Sequence, residues 1–229
     1  MHTFRHHVAL FALLFTAGSA VGEPVDAEWI SYRDAYRSMV LFEKYGKAKH
    51  LIQQQLQVVP RDKSVAPDGL QLTLQGKRTR LNLPLDATGR AVFPLLKEAY
   101  DDNASLVLNG KGGQFLFRPR VSLVVRPDGV YEAAELRAAC EQALAYQRQV
   151  EPGMRASRCT GVRFVFARTV IEPGVRLRKG EGPALPPVDG AAFAGDAYEG
   201  FRVVNYTFGE AREQVVTQNV PLAISPLYQ

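Results

Sequence analysis

Leu70–Phe93 reads LQLTLQGKRTRLNLPLDATGRAVF. Leu70, Leu72 and Leu74 alternate with Gln71, Thr73 and Gln75. Leu81, Leu83 and Leu85 resume the alternation after the basic turn Gly76-Lys77-Arg78. Asp86-Ala87-Thr88-Gly89 is a second turn, and Ala91-Val92-Phe93 starts another strand. A period of two places every second side chain on one face, as a strand with one dry and one wet side requires. Upstream, Ile52, Leu56 and Val58 share a face opposite Gln53, Gln55 and Gln57. Downstream, Leu106–Asn109, Gln114–Arg118 and Val121–Arg126 predict three more strands, with Gly110-Lys111-Gly112-Gly113 as the turn between the first two. Short alternating runs broken by turns at this spacing predict an antiparallel sandwich.

Two segments carry the helical period instead. Over Glu28–Lys44, Trp29, Tyr32, Tyr36, Met39 and Val40 fall on one face, and Gly46 follows as a stop signal. Core packing is the expected role of that face. From Glu132 to about Gln149, Ala133, Leu136, Cys140 and Ala143 form an apolar stripe. Glu132 and Glu135 sit in the first turn, where the helix dipole favours negative charge, and Pro152-Gly153 ends the run. Gly161–Thr169 then alternates Val162, Phe164 and Phe166 with Arg163 and Val165. Residues 172–197 are rich in Pro, Gly and Ala and lack periodicity, which predicts a long, partly mobile surface loop. Tyr198–Phe208 and Glu213–Val220 read as the last two strands, joined at Gly209-Glu210.

The first segment reads as an address. His2, Arg5, His6 and His7 precede the apolar run Val8–Ala17, and small residues follow through Gly22. That order marks a secretory signal over residues 1–22, cleaved near Gly22 with Ala20 and Gly22 as the small-x-small pair. Ala20 itself is the alternative cleavage point. Ten apolar residues are too few to span a bilayer, so no stable membrane insertion is expected after cleavage. The implied location is the periplasm. His2, His6 and His7 leave with the signal, so His50 alone remains, and one histidine cannot build a His-rich zinc site. Cys140 and Cys159 are the two cysteines of the chain, and in an exported protein an even count predicts one disulfide between them. The expected fold is therefore β-rich α+β. It comprises an N-terminal helix and an antiparallel β-sandwich-like unit over residues 23–120. A helix-plus-sheet unit pinned by the disulfide follows over 121–229, and one core shared by both units is compatible with the pattern.

Known chemistries leave few traces. There is no Gly-x-Ser-x-Gly and no Ser-x-x-Lys. Gly110-Lys111-Gly112-Gly113 lacks the Ser or Thr and the upstream Gly of a nucleotide loop. Arg163-Phe164-Val165-Phe166 interleaves bases and aromatics, yet the glycines of a base-stacking strand are absent, so no nucleic-acid partner is expected. The formal charge of +5 is a mild excess for 229 residues. Asn103-Ala104-Ser105 and Asn205-Tyr206-Thr207 match the glycosylation triplet. Asp101, Asp102, Glu132, Glu135, Asp196 and Glu199 could supply the paired carboxylates of a glycosidase, but sequence spacing does not say which ones meet. No catalytic, cofactor-binding or metal-ligating residue is assigned.

One longer pattern carries a resemblance. Leu83-Pro84-Leu85-Asp86-x-x-Gly89-x-x-x-Phe93-Pro94-Leu95 is followed by Tyr131-x-x-x-Glu135-Leu136 on a helix and by Gly161-Val162-x-Phe164-x-Phe166. Over residues 30–170 this resembles a family of exported Gram-negative envelope proteins of unknown function. The resemblance implies a periplasmic location and carries over no catalytic residue. The expectation is a non-catalytic binding or structural protein of the envelope, with an envelope protein or a glycan as partner. The competing expectation is a carboxylate-dependent hydrolase acting on envelope glycans.

Overall fold

The computed structural model describes residues 27–178, 184–209 and 213–229. The expected signal segment 1–22 and its cleavage point lie outside the described residues. Alternation builds the strands β1 (Ala27–Ser31), β2 (Ile52–Pro60), β3 (Leu72–Gln75), β4 (Arg80–Leu83), β5 (Arg90–Ala91), β6 (Ser105–Lys111) and β7 (Phe115–Leu123). These are followed by β8 (Val130–Glu132), β9 (Cys159–Ala167), β10 (Arg176–Leu177), β11 (Val188–Gly190), β12 (Phe201–Thr207), β13 (Gln214–Val216) and β14 (Ala223–Tyr228). The helices are α1 (Tyr32–Glu43), α2 (Lys97–Asp101) and α3 (Ala133–Val150). A 3-10 turn at Pro152–Ala156 follows α3.

The strands form three antiparallel sheets, ordered β1-β6-β3-β4, β10-β13-β8 and β11-β12-β9-β14-β7-β2-β5. Leu72, Leu74, Leu106 and Leu108 of the first sheet meet Leu56, Val58 and Phe115 of the third across a core. Tyr32, Ala35 and Met39 of α1 close that core from the side. The Tyr32 hydroxyl donates to Pro94 O at 2.6 Å and accepts from Leu96 N at 2.8 Å, so its buried oxygen is satisfied while it pins the helix. On the other half of the large sheet, Leu136, Ala139 and Ala143 of α3 pack on Val162, Phe164, Ile224 and Leu123. Cys140 and Cys159 are bonded, with Cα atoms 6.0 Å apart, and tie α3 to the start of β9. The fold is the β-rich α+β arrangement that the alternation predicts. The large sheet takes β2, β5 and most of β7 from before residue 120 and its other four strands from after it.

Four local expectations are corrected. Trp29 is not on α1; it lies in β1 and is 62% exposed, because Glu28–Ser31 pairs with Leu108–Ser105 of β6 instead of coiling. Gln114–Arg118 and Val121–Arg126 are not two strands. A single β7 runs through Pro119, paired residue by residue with β2. The 110–113 turn does not close a hairpin, since β6 and β7 belong to different sheets. Finally, the segment expected to be a surface loop contributes β11 and buries Ala191, Ala192 and Phe193 against Val165, Phe201 and Ala223. That burial covers the face of the large sheet opposite α3.

Candidate functional site

The large sheet is split in the middle. β14 and β7 are neighbours, yet they pair only at Leu123 and Ile224. The hydrogen-bond phase shows what lies along the split. Val124 N donates to Leu51 O and Arg61 N donates to Gln114 O, so the even-numbered residues of β7 turn their backbone groups to β2. Phe117, Pro119 and Val121 therefore turn theirs toward β14. Phe208 N donates to Thr160 O, which turns the even residues of β9 to β12 and the odd ones to β14. Their partners Ala223, Ser225 and Leu227 bond to β9. Ile224, Pro226 and Tyr228 are left facing β7. Each strand thus carries a proline at a position that faces the split. A proline has no N–H, so each one deletes a ladder bond that would close the sheet. Two missing bonds, at about 0.5–1.5 kcal/mol each, are enough to leave the strands apart where no other force joins them.

The closed end of the split is held by a clamp. Arg90 is 3% exposed. Its guanidinium reaches Asp86 Oδ2 at 2.8 Å, Ser122 Oγ on β7 at 3.0 Å and Leu222 O ahead of β14 at 2.7 Å. Asp86 Oδ1 accepts from the Thr88 and Arg90 backbone and so sets the turn that aims Arg90. Gly89 has φ +77° in that turn, and a Cβ there would sit 2.5 Å from Val58 O. Beside the clamp, Arg120 Nη2 lies 2.5 Å from Asp196 Oδ1, and Arg118 Nη1 lies 3.8 Å from the same oxygen. Gln57 joins them, accepting from Arg120 Nε at 2.6 Å and donating to Asp196 Oδ2 at 3.3 Å. Phe193 lies between the two guanidinium groups, 4.6 Å from Arg120 Cζ and 5.5 Å from Arg90 Cζ. Burial pushes the Asp196 carboxyl above the usual carboxylate range, with Arg120 and Arg118 opposing the shift.

From the clamp the split widens into a cleft of about 670 Å³ that passes between α1 and the C-terminal end of α3. Ser38 and Leu41 line it from α1, and Tyr146, Gln147, Val150 and Glu151 from α3 and its end. Pro119, Val121, Ser225, Pro226 and Tyr228 form the two sheet edges, and Arg118, Arg120 and Phe193 the far side. Four lining residues hold a buried side-chain oxygen without a hydrogen-bond partner among the described residues: Gln54 Oε1, Gln147 Oε1, Ser225 Oγ and the Tyr228 hydroxyl. Buried polar atoms without partners are costly and rare. Half of those in the described residues belong to residues that line this one cleft, with the oxygens themselves buried behind its surface. Burial, with the charges of Glu151 and Glu141, pushes the Tyr228 phenol far above its ordinary range, so it stays protonated. A second groove of about 480 Å³ shares Ser38 and Pro119 with the cleft and runs beneath Trp29, Ile30, Leu56 and Phe117.

The residues singled out from the sequence are elsewhere. The Cys140–Cys159 bond is formed as expected. His50 is exposed in the turn before β2. Asp101 pairs with Lys97, Asp102 with Arg78, Glu135 with Arg126 and Asp196 with Arg120. Glu132 accepts from Gln214, and Glu199 is exposed. Neither the cleft nor the adjoining groove is lined by any of these six carboxylates. Asn103 sits in the turn after α2 with φ 53°. Asn205 lies within β12 and accepts from Arg163 Nε at 2.9 Å. Sequence reasoning missed the cleft because it missed β14. Proline at 226 hides that strand, and the same residue opens the site. The chain matches no protein-family model, no curated protein and no solved structure.

Proposed function

We propose that the chain is an exported, non-catalytic binding protein of the cell envelope, and that its ligand occupies the cleft between β7 and β14. The observation that carries this reading is the cleft itself, about 670 Å³ opened in the middle of the large sheet and lined from both sheet edges, α1 and α3 by residues of mixed polarity. Ligand sites are commonly concave, mixed in polarity and built with a few convergent polar groups. The Cys140–Cys159 bond supports an oxidising compartment. The signal-like first segment and the family resemblance support the periplasm. A carboxylate-pair hydrolase has no comparable support, because Glu151 alone brings a carboxylate to the cleft lining and Asp34 alone to the groove.

Native mass spectrometry of the protein taken from the periplasm of a Gram-negative host tests both halves of the reading. The expected result is a chain that lacks Met1–Gly22 and carries a small-molecule adduct, which is lost on denaturation and refolding. Retention of Met1–Gly22 would overturn the location. A protein that never carries an adduct would overturn the binding role.

A further inference from the structure

The split leaves two strand edges without a partner strand. On β7, Phe117 and Val121 turn both N–H and C=O toward the gap, and Pro119 turns its C=O. On β14, Tyr228 turns both groups and Pro226 its C=O. No ladder joins these positions, since the two strands pair only at Leu123 and Ile224. Pro119, Val121, Pro226 and Tyr228 line the cleft, and Phe117 lines the groove that adjoins it. The free groups recur at every second residue in the plane of the sheet, donor beside acceptor. An extended peptide backbone is their complement, and adding a strand to an open edge is a general mode of peptide recognition. The free edge from Phe117 to Val121 is about 13 Å long at ~3.3 Å per residue, which suits a segment of about four residues.

Shape and charge decide which part of a peptide enters. The clamp of Arg90, Ser122 and Leu222 closes one end of the gap, so a strand slides in only from the other, tip first. Arg118 and Arg120 line the gap and share the Asp196 carboxylate. Arg120 takes it at 2.5 Å. Arg118 stands 3.8 Å from it, with a side chain 37% exposed, and donates no hydrogen bond among the described residues. The one carboxylate of the lining, Glu151, is exposed at the end of α3. A tip that ends in a carboxylate is favoured over one that ends in an ammonium, because the open Arg118 fork offers it charge-assisted hydrogen bonds. The adjoining groove is walled by Ile30, Ala35, Leu56 and Phe117, and its exposed Asp34 is paired with Arg37, so it takes an apolar side chain. Resting on the reading of this cleft as a binding site, we infer that its ligand is the C-terminal end of an apolar peptide, inserted in extended form between β7 and β14 with its carboxylate on Arg118.

A library of N-acetylated tetrapeptides, with Ala, Val, Leu or Phe at each position, tests this on the mature chain refolded free of ligand. Half of the library ends in a free carboxylate and half in an amide. Affinity selection read by mass spectrometry should retain free-acid peptides and hold the matching amides at least tenfold more weakly. Arg118→Gln should lose that preference and hold acids and amides alike, with an unchanged circular-dichroism spectrum. With a retained peptide bound, amide hydrogen exchange followed by NMR should slow at least tenfold at Phe117, Val121 and Tyr228, whose N–H groups face the gap. Pro226→Val returns an N–H to the edge facing β7 and lets the split close, so it should abolish retention. If that variant fails to fold, the half-exposed Arg118→Gln and the three amides of the unaltered protein decide the matter. Equal retention of acids and amides by the unaltered protein would overturn the inference. So would retention without slower exchange at the three amides, which would place the peptide elsewhere. An adduct on the periplasmic protein with no tetrapeptide retained would sink this inference and leave the binding role standing. The absence of both would sink the two together.

Discussion

Arg90 and Asp196 are buried charges placed where the large sheet divides, and each is stabilised in a different way. Arg90 spends its guanidinium on one carboxylate, two hydroxyls and one carbonyl from three separate segments. Lysine offers a point charge without the planar fork and cannot span Asp86, Ser122 and Leu222 together. Arg90→Lys is expected to lower the free energy of unfolding by about 2–3 kcal/mol, read from urea denaturation, because the Leu222 carbonyl and Ser122 lose a charge-assisted bond. Asp196 has the opposite balance. Its carboxyl is raised by burial despite two arginines, so the folded state holds its proton more tightly than the unfolded chain does. The contribution of this group is therefore greatest below the ordinary carboxylate value near pH 3.9, and it declines as pH rises through the higher folded value. Asp196→Asn keeps the side chain's size and one acceptor for Arg120 and removes that titration, so the urea midpoint of the variant should vary less with pH above about 4. Asp196→Ala removes the partner outright and leaves Arg120 buried and uncompensated, at a cost of about 3–5 kcal/mol. An alanine variant as stable as the asparagine one would show that Arg120 is solvated rather than paired.

The elements show which parts of the fold can be read from a sequence and which cannot. Leu72, Leu74 and Leu83 announce their strands because each faces one dry core and one wet side. α3 is legible for the same reason, with Leu136, Ala139, Cys140 and Ala143 repeating every three to four residues and burying against β9. Cys140 on that stripe and Cys159 at the strand start make the disulfide legible too. Replacing either cysteine with Ser is expected to cost about 2–4 kcal/mol, since the bond closes a loop of 19 residues in the unfolded chain. Thiol titration of the unfolded, unreduced protein should find no free cysteine. β7 reads as two strands and β14 is not read at all, because proline interrupts the pattern by which strands are recognised. In β7, Pro119 directs its missing N–H away from β2, so the ladder with β2 runs unbroken past it. Trp29 misleads for a different reason. An aromatic at helical spacing suggests a buried stripe, but β1 pairs with β6 along that stretch and turns the ring outward. The split itself follows from two prolines that are unremarkable one at a time. Their meaning depends on the register of three strand pairs, which lies beyond local spacing.

At the scale of the molecule, the two stretches either side of residue 120 meet in one sheet and in one cluster. Phe42, Tyr45 and Ile52 from the first stretch pack with Val121, Leu123, Leu136 and Tyr146 from the second. Tyr146 stacks edge-on against both Phe42 and Tyr45, with ring centroids 5.1 and 5.2 Å apart. Gln142 accepts from Leu51 N at 3.0 Å, and Arg90 of the first stretch reaches Leu222 of the second. A fragment ending at residue 120 would expose Phe42, Tyr45 and Ile52 and strand the Arg90 guanidinium with part of its shell missing. Each of those large side chains contributes roughly 1.5–3 kcal/mol by burial, which is comparable with the whole stability of a small domain. The expected outcome is one cooperative unfolding transition for the full chain, followed equally by tryptophan fluorescence at Trp29 and by far-ultraviolet circular dichroism. Trp29 lies in the first stretch, whereas circular dichroism also weighs α3 of the second, so the two probes do not report on the same residues. Coincident midpoints mean that the stretches fold as one unit. Two separated midpoints would mean that the clustered aromatic contacts and the Arg90 clamp are too weak to couple them. Reduction of Cys140–Cys159 should then lower the single midpoint seen by both probes together, because α3 and β9 belong to the same cooperative core as α1 and β2.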